Sequence, residues 1–203
     1  GIYMSLVITK TPFRVSFFGG GTDYPQWYLE EGGEVLSTAI DKYCYISARF
    51  RPEFFPSIHR IVWTHIELVQ TISEILHPAV REGLKGLNFD NSKGVEIIHQ
   101  GDLPARTGMG SSSAFAVGLL SALNFLQERQ LSREQLYLQA IDLEQNRLKD
   151  NVGSQDQVAV AIGGFNHIKF DTTGKITTSP IKCSALRLAK LESQLMLFYT
   201  GTT

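Results

Sequence analysis

The feature that most constrains the fold of this chain is a loop rich in glycine and serine, Pro104 to Ala114 (Pro-Ala-Arg-Thr-Gly-Met-Gly-Ser-Ser-Ser-Ala). It follows a strand-like apolar run at 95–99 and opens a helix-like apolar segment at 114–126. Glycines let backbone N–H groups approach a charged ligand closely. The first turn of a helix also offers unpartnered N–H groups and a dipole that favours anions. The segment therefore predicts a strand–loop–helix unit that binds phosphate, with serine hydroxyls on the phosphate or its magnesium ion.

Other interpretations of this loop are weighed against that one. The serines can serve simply as a helix N-cap. A Walker loop is excluded in its usual form because no Lys follows the second glycine, and a dinucleotide fingerprint fails at Ser113, where a third glycine would stand. A serine hydrolase stays open, because 110–114 approximates G-x-S-x-G around Ser112. Asp156 and His167 then follow in the chain order of such a triad.

A second glycine-rich segment lies near the N-terminus, at 11–24 (Thr-Pro-Phe-Arg-Val-Ser-Phe-Phe-Gly-Gly-Gly-Thr-Asp-Tyr). An alternating apolar strand runs into three glycines, so that a carboxylate and a guanidinium flank backbone without side chains. Asp23 can accept hydrogen bonds from sugar hydroxyls, and Arg14 can hold a phosphate oxygen. A glycine-rich hairpin turn with Asp in its usual turn position explains the segment equally well.

Two carboxylates, Glu144 and Asp156, complete the candidate chemistry. Asp156 stands within Gly-Ser-Gln-Asp-Gln at 153–157, at or just before a helix start, where a helix cap is the simplest role. Glu144 lies on a helix predicted over 133–148, at the edge of its apolar stripe. It is therefore either partly buried or an ordinary surface carboxylate paired with Arg147.

In this order and spacing the three motifs resemble the GHMP family of small-molecule kinases, which includes galactokinase, homoserine kinase, mevalonate kinase and phosphomevalonate kinase. The family pattern Pro-x3-Gly-x-Gly-Ser-Ser-x-Ala is matched at 104–114, with Met109 in the place usually held by Leu. Segments 12–23, 39–43 and 152–157 are similar to the subgroup that phosphorylates D-glycero-D-manno-heptose 7-phosphate. The resemblance implies an α+β fold like that of ribosomal protein S5 domain 2, with helices packed on a mixed sheet.

Two glycines favour that subgroup over the galactokinases. Galactokinases carry an acidic residue and a His where this chain has Gly20 and Gly21. Loss of those side chains enlarges the pocket and removes a negative charge. A bulkier sugar that bears a phosphate is repelled by a carboxylate at this place and tolerated by glycines.

The resemblance also implies a division of roles between residues. Asp156 and Arg14 would be catalytic: Asp156 faces the anomeric hydroxyl as general base or as an orienting group, and Arg14 neutralises charge on the transferred phosphoryl group. The ATP phosphates would be bound by Pro104, Gly108, Met109, Gly110, Ser111, Ser112 and Ser113. Magnesium would be held by Ser111, Ser112 and Glu144, and the sugar by Gly19, Gly20, Gly21, Thr22 and Asp23.

Charge and cysteine content limit the partners. Lys plus Arg number 19 and Asp plus Glu 20, a balance that gives no basic face for nucleic acid. The sparse cluster of Arg49, Arg51 and Arg60 is interpreted as a solvated strand end, with contact to a substrate phosphate as the alternative. Two distant cysteines without C-x-x-C spacing indicate free thiols in a reducing compartment. No apolar stretch reaches the roughly 18 residues of a membrane span and no signal peptide is recognised, so we expect a cytoplasmic protein without a membrane partner.

The periodicity predicts the order of elements. Strands are expected at 5–18, 35–50 (with a turn), 58–70, 95–100, 164–170, 176–181 and 194–199, and helices at 72–87 (with a break near Pro78), 112–129, 133–148 and 157–162. Residues 1–4 are interpreted as a cloning remnant plus the start, 5–190 as the ATP-binding N-terminal domain, and 191–203 as the start of a second domain that is otherwise absent.

These observations lead to an expected activity. We expect ATP- and magnesium-dependent phosphorylation of the anomeric hydroxyl of a small-molecule sugar phosphate, D-glycero-D-manno-heptose 7-phosphate, to its 1,7-bisphosphate, which supplies heptose for lipopolysaccharide. The alternatives are another sugar-1-kinase of fucose or galactose type, a serine hydrolase, and a catalytically silent nucleotide-binding fragment. Homodimer formation is left open.

Overall fold

The computed structural model of the protein describes residues 6–56 and 58–198. Its strands are β1 Val7–Phe18, β2 Gly33–Phe50, β3 His59–Val62, β4 Ile66–Val69, β5 Val95–Gly101, β6 Phe165–Phe170 and β7 Ile176–Pro180. Its α-helices are α1 Pro25–Glu31, α2 Pro78–Gly86, α3 Ser111–Leu126, α4 Arg133–Asp142, α5 Gln155–Ile162 and α6 Ala185–Ser193. A 3₁₀ turn at Ile72–Glu74 precedes α2, and a π-helical turn at Leu143–Arg147 follows α4.

The strands form one mixed sheet built around β2. The order is β4-β3-β5-β2-β6-β7, with β1 also paired to β2. All pairs are antiparallel except β3 with β5. Strand β2 pairs with β1 along most of one edge, while its other edge pairs first with β6 and then with β5, which explains why it runs for 18 residues. The predicted α+β fold with a mixed sheet is confirmed.

Helix α3 is the centre of the core. It packs on β1 and β2, and α2, α4 and α5 pack around it. Most of its residues are buried, as expected of a helix that is apolar on every side. Close approach to the sheet requires Gly118, because a Cβ there would lie 2.9 Å from Thr11 Oγ1 and 3.2 Å from Thr9 Oγ1. The helix start, which carries the serines, is thereby fixed beside β1.

The break predicted near Pro78 within the helix at 72–87 is confirmed, because Pro78 disfavours a helical residue before it and occupies the first turn of α2, which His77 caps. The strand region predicted at 58–70 forms a hairpin of β3 and β4. Other predicted elements differ from the structure: the turn expected within 35–50 is absent, because β2 runs unbroken over Gly33–Phe50. Helices α1 and α6 were not predicted. No strand forms at 194–198, so that prediction is wrong for those residues, and residue 199 lies outside the described part of the chain.

Two further expectations are tested by the fold. Arg49 and Arg60 both pair with Glu96, at 2.7 and 3.0 Å, so one carboxylate on the sheet engages both guanidinium groups and offsets part of their charge. Cys44 is buried and Cys183 exposed, and both are free thiols as predicted. Within 6–56 and 58–198, no helix has the length and apolar character needed to cross a membrane.

Candidate active site

The loop before α3 leaves the helix start open to an anion. Gly108 and Gly110 both have φ of +72°, and Gly110 is the N-cap in the left-handed region. No side chain caps this helix, and no acidic residue lies in its first turn. The interpretation of the serines as an N-cap is therefore wrong. The N–H groups of the first turn remain available to a phosphate.

Glu144 lies buried beneath that helix start. Its side chain is 1% exposed and accepts hydrogen bonds from Ser112 Oγ at 2.8 Å, Ser113 Oγ at 2.7 Å and Gln157 Nε2 at 3.1 Å. Burial raises the pKa of this carboxyl above its ordinary value, against the lowering effect of the three donors. The interpretation of Glu144 as a surface carboxylate is therefore wrong.

The donor set around Glu144 fits magnesium. Carboxylate and hydroxyl oxygens are the ligands of a hard divalent cation, which commonly takes one or two carboxylates plus substrate phosphates. No Lys or Arg pairs with Glu144 among the described residues, so the buried negative charge has no protein counter-ion there. Ser112 and Ser113 contact Glu144 directly, whereas no contact joins Ser111 to it.

A guanidinium links the loop to the second carboxylate. Arg14 Nε donates to Asp156 Oδ1 at 2.7 Å, and another guanidinium nitrogen donates to the carbonyl oxygen of Gly108 at 2.8 Å. The backbone N–H of Arg14 also donates to the carbonyl of Met109 at 3.0 Å. Asp156 stands in the first turn of α5. Three motifs far apart in the sequence thus meet at one point.

The glycine-rich segment after β1 divides into a structural part and an open part. A Cβ at Gly19 would lie 1.9 Å from the carbonyl oxygen of Glu34, so only glycine fits, whereas no atom lies within 4 Å of a Cβ at Gly21. Thr22 Oγ1 donates to the carbonyl of Gly19 at 2.7 Å. Asp23 is 2% exposed, and its carboxylate accepts from the backbone N–H of Gly21 and from both the backbone and the side-chain amide of Gln155.

A cavity of about 460 Å³ lies beside Arg14 and the loop before α3. Its lining includes Arg14, Gly19, Gly20, Gly108 and Met109 among the predicted residues, although the Met109 side chain also belongs to the core. Pro104 is exposed. The remaining predicted residues are not part of the lining: Gly21, Thr22, Asp23, Gly110, Ser111, Ser112, Ser113, Glu144 and Asp156.

The lining also contains Thr107 and Gln155, which the sequence did not single out. Thr107 Oγ1 and Gln155 Oε1 are buried oxygens without a hydrogen-bond partner, so both can receive or orient a hydroxylated ligand. Gln157, which holds Glu144, was missed as well. Gln155 and Gln157 flank Asp156 in the sequence, and this adjacency could have identified both as candidate site residues.

The serine hydrolase alternative fails on geometry. Ser112 donates to Glu144 and not to a histidine. His167 lies on β6, 2.9 Å from Glu34, and Asp156 is paired with Arg14. No triad is therefore assembled around Ser112.

Comparison with known proteins identifies similar chains. Residues 68–164 match the sequence model described as the GHMP kinases N terminal domain. The chain is 25% identical over 213 residues to D-glycero-alpha-D-manno-heptose 7-phosphate kinase of Campylobacter jejuni, covering 98% of this chain and 61% of that protein. It is 26% identical over 202 residues to galactokinase of Pyrococcus furiosus, covering 98% of this chain and 54% of that protein.

A solved structure shares the fold. A D-glycero-D-manno-heptose 1-phosphate kinase from Bacteroides thetaiotaomicron superposes with a TM-score of 0.81 at 23% identity, over 93% of this chain and 63% of that one. The chain thus spans less than two thirds of the length of each of these three relatives.

Proposed function

Residues 68–164 match the GHMP kinases N terminal domain, and on that premise we propose that the chain belongs to this family and phosphorylates the anomeric hydroxyl of D-glycero-D-manno-heptose 7-phosphate with ATP. The observation that carries the proposal is the junction of Arg14 with Asp156 and the carbonyl of Gly108 at the wall of the cavity. Arg14 hydrogen-bonds both to Asp156, the carboxylate that we propose orients the acceptor, and to the loop that we propose binds phosphate.

Each group has a defined task in this proposal. ATP supplies the γ-phosphoryl group, and its magnesium ion neutralises the negative charge of the phosphates. The helix start binds phosphate oxygens, while Glu144 and Ser112 hold the metal. Asp156 orients the anomeric hydroxyl toward the loop. Arg14 still has guanidinium donors beyond its two bonds, and these stabilise charge on the transferred group.

The open glycines support a heptose phosphate as the acceptor. A Cβ at Gly20 would have only Gln155 Nε2 nearby, at 3.9 Å, and one at Gly21 would meet nothing within 4 Å. No side chain therefore fills the space beside these residues, and neither glycine brings a negative charge toward a sugar phosphate. Similarity to the Campylobacter jejuni heptose 7-phosphate kinase points the same way, and the product would supply heptose for lipopolysaccharide. Galactokinase similarity at comparable identity makes a neutral hexose the second candidate.

The test is ADP release by the complete protein that contains this chain, with ATP, magnesium and a panel of acceptors. The panel holds D-glycero-D-manno-heptose 7-phosphate, galactose, fucose, mannose and mevalonate. Asp156→Ala is assayed beside the wild type, and Asp90→Ala serves as the matched control, since Asp90 is exposed and bonds only locally to Ser92. We expect turnover with the heptose phosphate, loss of at least about 100-fold in Asp156→Ala, and no change in Asp90→Ala.

The other outcomes separate the alternatives. Turnover with a neutral hexose would refute the argument from Gly20 and Gly21 but keep the kinase. Binding of ATP without turnover of any acceptor would favour the silent nucleotide-binding fragment. Equal activity in wild type and Asp156→Ala would remove Asp156 from the reaction.

A further inference from the structure

The π-helical turn Leu143–Arg147 sends two neighbouring side chains to different parts of the candidate site. The turn is closed by a bond from the Leu148 N–H to the Leu143 carbonyl, five residues apart, at 2.9 Å. Glu144 faces the serines at the start of α3, whereas Gln145 reaches the loop before α5. Single π turns inside helices are rare and occur frequently at functional sites.

Gln145 uses its side-chain amide to hold that loop. Its Nε2 donates to the carbonyl of Val152 at 3.2 Å and to Ser154 Oγ at 3.0 Å. Ser154 is fully buried, and its hydroxyl lies 3.2 Å from Tyr28 Oη. The Tyr28 ring in turn stacks on Phe170 with ring centroids 5.1 Å apart. A buried polar chain therefore runs from the π turn through the loop to α1.

The same loop is held from the opposite side by Asp23. The Asp23 carbonyl accepts from the Ser154 N–H at 2.9 Å, and its carboxylate accepts from the Gln155 N–H at 3.1 Å. A Cβ at Gly153 would lie 2.0 Å from Asp23 Oδ2, so only glycine fits this close to the carboxylate. The residues immediately before Asp156 are thus clamped between Asp23 and Gln145.

We propose that Gln145 is a positioning residue, which fixes Asp156 relative to Glu144 without touching a substrate. The proposal rests on the proposed function, in which these two carboxylates serve the acceptor and the metal. Glu144 and Gln145 are adjacent on one turn. A shift of that turn therefore moves the Glu144 carboxylate, which we propose holds the metal, together with the Gln145 amide, which holds the loop before Asp156. A misplacement of about 1 Å in such a site can cost on the order of 100-fold in rate.

The experiment compares Gln145→Leu with Gln139→Leu in the complete protein. Gln139 is a half-buried glutamine on α4 whose amide oxygen accepts from Asn124, away from both carboxylates. We expect kcat to fall about 10- to 100-fold in Gln145→Leu, with KM for ATP changed less than about twofold, and both constants to stay near wild type in Gln139→Leu. Ser154→Ala and the double variant Gln145→Leu/Ser154→Ala complete a cycle. The double variant should lose no more than Gln145→Leu alone, because both changes break the same link.

Three results would overturn the inference: kcat of Gln145→Leu within about twofold of wild type, an equal fall in Gln139→Leu, or strictly additive losses in the cycle. Backbone hydrogen exchange provides a readout that does not depend on turnover. The amides of Ser154 to Asp156 should exchange faster in Gln145→Leu than in the wild type, with those of α2 unchanged. If the wild type phosphorylates no acceptor, the proposed function fails by itself, and exchange decides the inference: unchanged protection at these amides overturns it.

Discussion

Among single residues, Glu144 shows how a carboxylate needed for the candidate function can lower the stability of the fold. Its carboxylate is buried, receives three donors, and faces the negative charge of Asp156 as a further unfavourable influence. Because burial raises its pKa, the folded state binds this proton more tightly than the unfolded chain does. The contribution of Glu144 to stability therefore declines as pH rises above the ordinary pKa of a glutamate.

Glu144→Gln should therefore stabilise the protein at neutral and alkaline pH. The new amide can donate to Gln157 Oε1, which has no hydrogen-bond partner, and the serine hydroxyls can rotate to suit it. We expect the melting temperature at pH 8 to rise by about 2–4 °C, which corresponds to ~1 kcal/mol in a chain of this size. At pH 4, where the unfolded chain also binds most of this proton, the difference should become much smaller. Calorimetry at both pH values checks this, and a lower melting temperature at pH 8 would contradict it.

Sequence reasoning named candidate residues more readily than it predicted their surroundings. Arg14, Glu144 and Asp156 were all named as candidates, their chemical roles stay predictions, and the structure brings Arg14 and Asp156 into contact. The burial of Asp23 was not predicted, because its partner Gln155 lies 132 positions away and only the fold brings the two together. Thr107 was missed because an unpartnered buried oxygen has no sequence signature.

At the scale of elements, the contact between α3 and the sheet overrides intrinsic helix preference. Gly118→Ala should gain up to about 1 kcal/mol from helix propensity. Its Cβ would, however, lie 2.9 Å from Thr11 Oγ1 and 3.3 Å from Ile46 Cγ1, so crowding of about 1–3 kcal/mol should dominate. We expect a lower urea midpoint with an unchanged m-value.

Gly83→Ala is the matched control for that prediction. It lies inside α2, and its Cβ would meet only the ends of leucine side chains, with Leu119 Cδ2 nearest at 3.2 Å. Those side chains can move, so we expect a smaller change in the urea midpoint than for Gly118→Ala. An equal or larger loss at Gly83 would show that sheet contact is not the deciding factor.

The start of α2 should make stability depend on acid pH. His77 caps the helix and stacks on Phe115, and burial lowers its pKa to about 4, with the neighbouring His99 as the next cause. The unfolded chain therefore binds this proton first, so stability is complete above about pH 6.5 and is lost as pH falls toward 4. Groups around it act in both directions: Glu67 raises the pKa and Arg81 lowers it.

His77→Asn keeps a capping side chain and removes this titration. We expect the slope of unfolding free energy against pH, between pH 6.5 and 4, to fall by at most about 1.4 kcal/mol per pH unit. Urea melts across that range measure the slope. His65→Asn is the control: His65 is exposed in the connection between β3 and β4, and its ring packs on Trp63 as that of His77 does, so loss of this ring contact alone should not reproduce the change in slope. A steep slope retained in His77→Asn would assign the acid sensitivity to other groups.

Elements were predictable where their apolar periodicity was strong. The strand–loop–helix unit of β5 and α3 was predicted because two apolar runs flank a loop that contains glycines, and in the structure those glycines have positive φ. Helix α6 was missed although Ala185, Leu188 and Leu191 recur three residues apart, and in the structure none of its residues is buried. The seven-residue helix α1 buries only Tyr28, and a single buried position gives no apolar periodicity from which to predict a helix.

For the molecule as a whole, β2 connects the two halves of the candidate site. One edge of β2 carries β1, which brings Arg14, and the other edge carries β5, which leads into the loop before α3. Cys44 lies at the crossing, with Thr11 and Gly101 as its neighbours in the register. The central strand can be exposed only when the sheet separates, so access to Cys44 reports global opening.

Thiol labelling should therefore measure both stability and ligand binding. Cys44 is 1% exposed, and burial raises the pKa of its thiol to about 12, so the native state is unreactive there, while Cys183 is exposed. At pH 8 we expect one thiol to react at once and the second at the rate of global opening. MgATP at 100 times its dissociation constant should slow the second about 100-fold, equivalent to ~2.7 kcal/mol, because only the folded state binds it. Cys183 is the internal control, and its rate should not change.

Chelation of magnesium should remove most of the protection, since the buried carboxylate of Glu144 then faces the phosphates without a cation. Equal rates for the two thiols would contradict the assignment of Cys44 to the global core, and slow labelling unaffected by MgATP would contradict nucleotide binding at the start of α3.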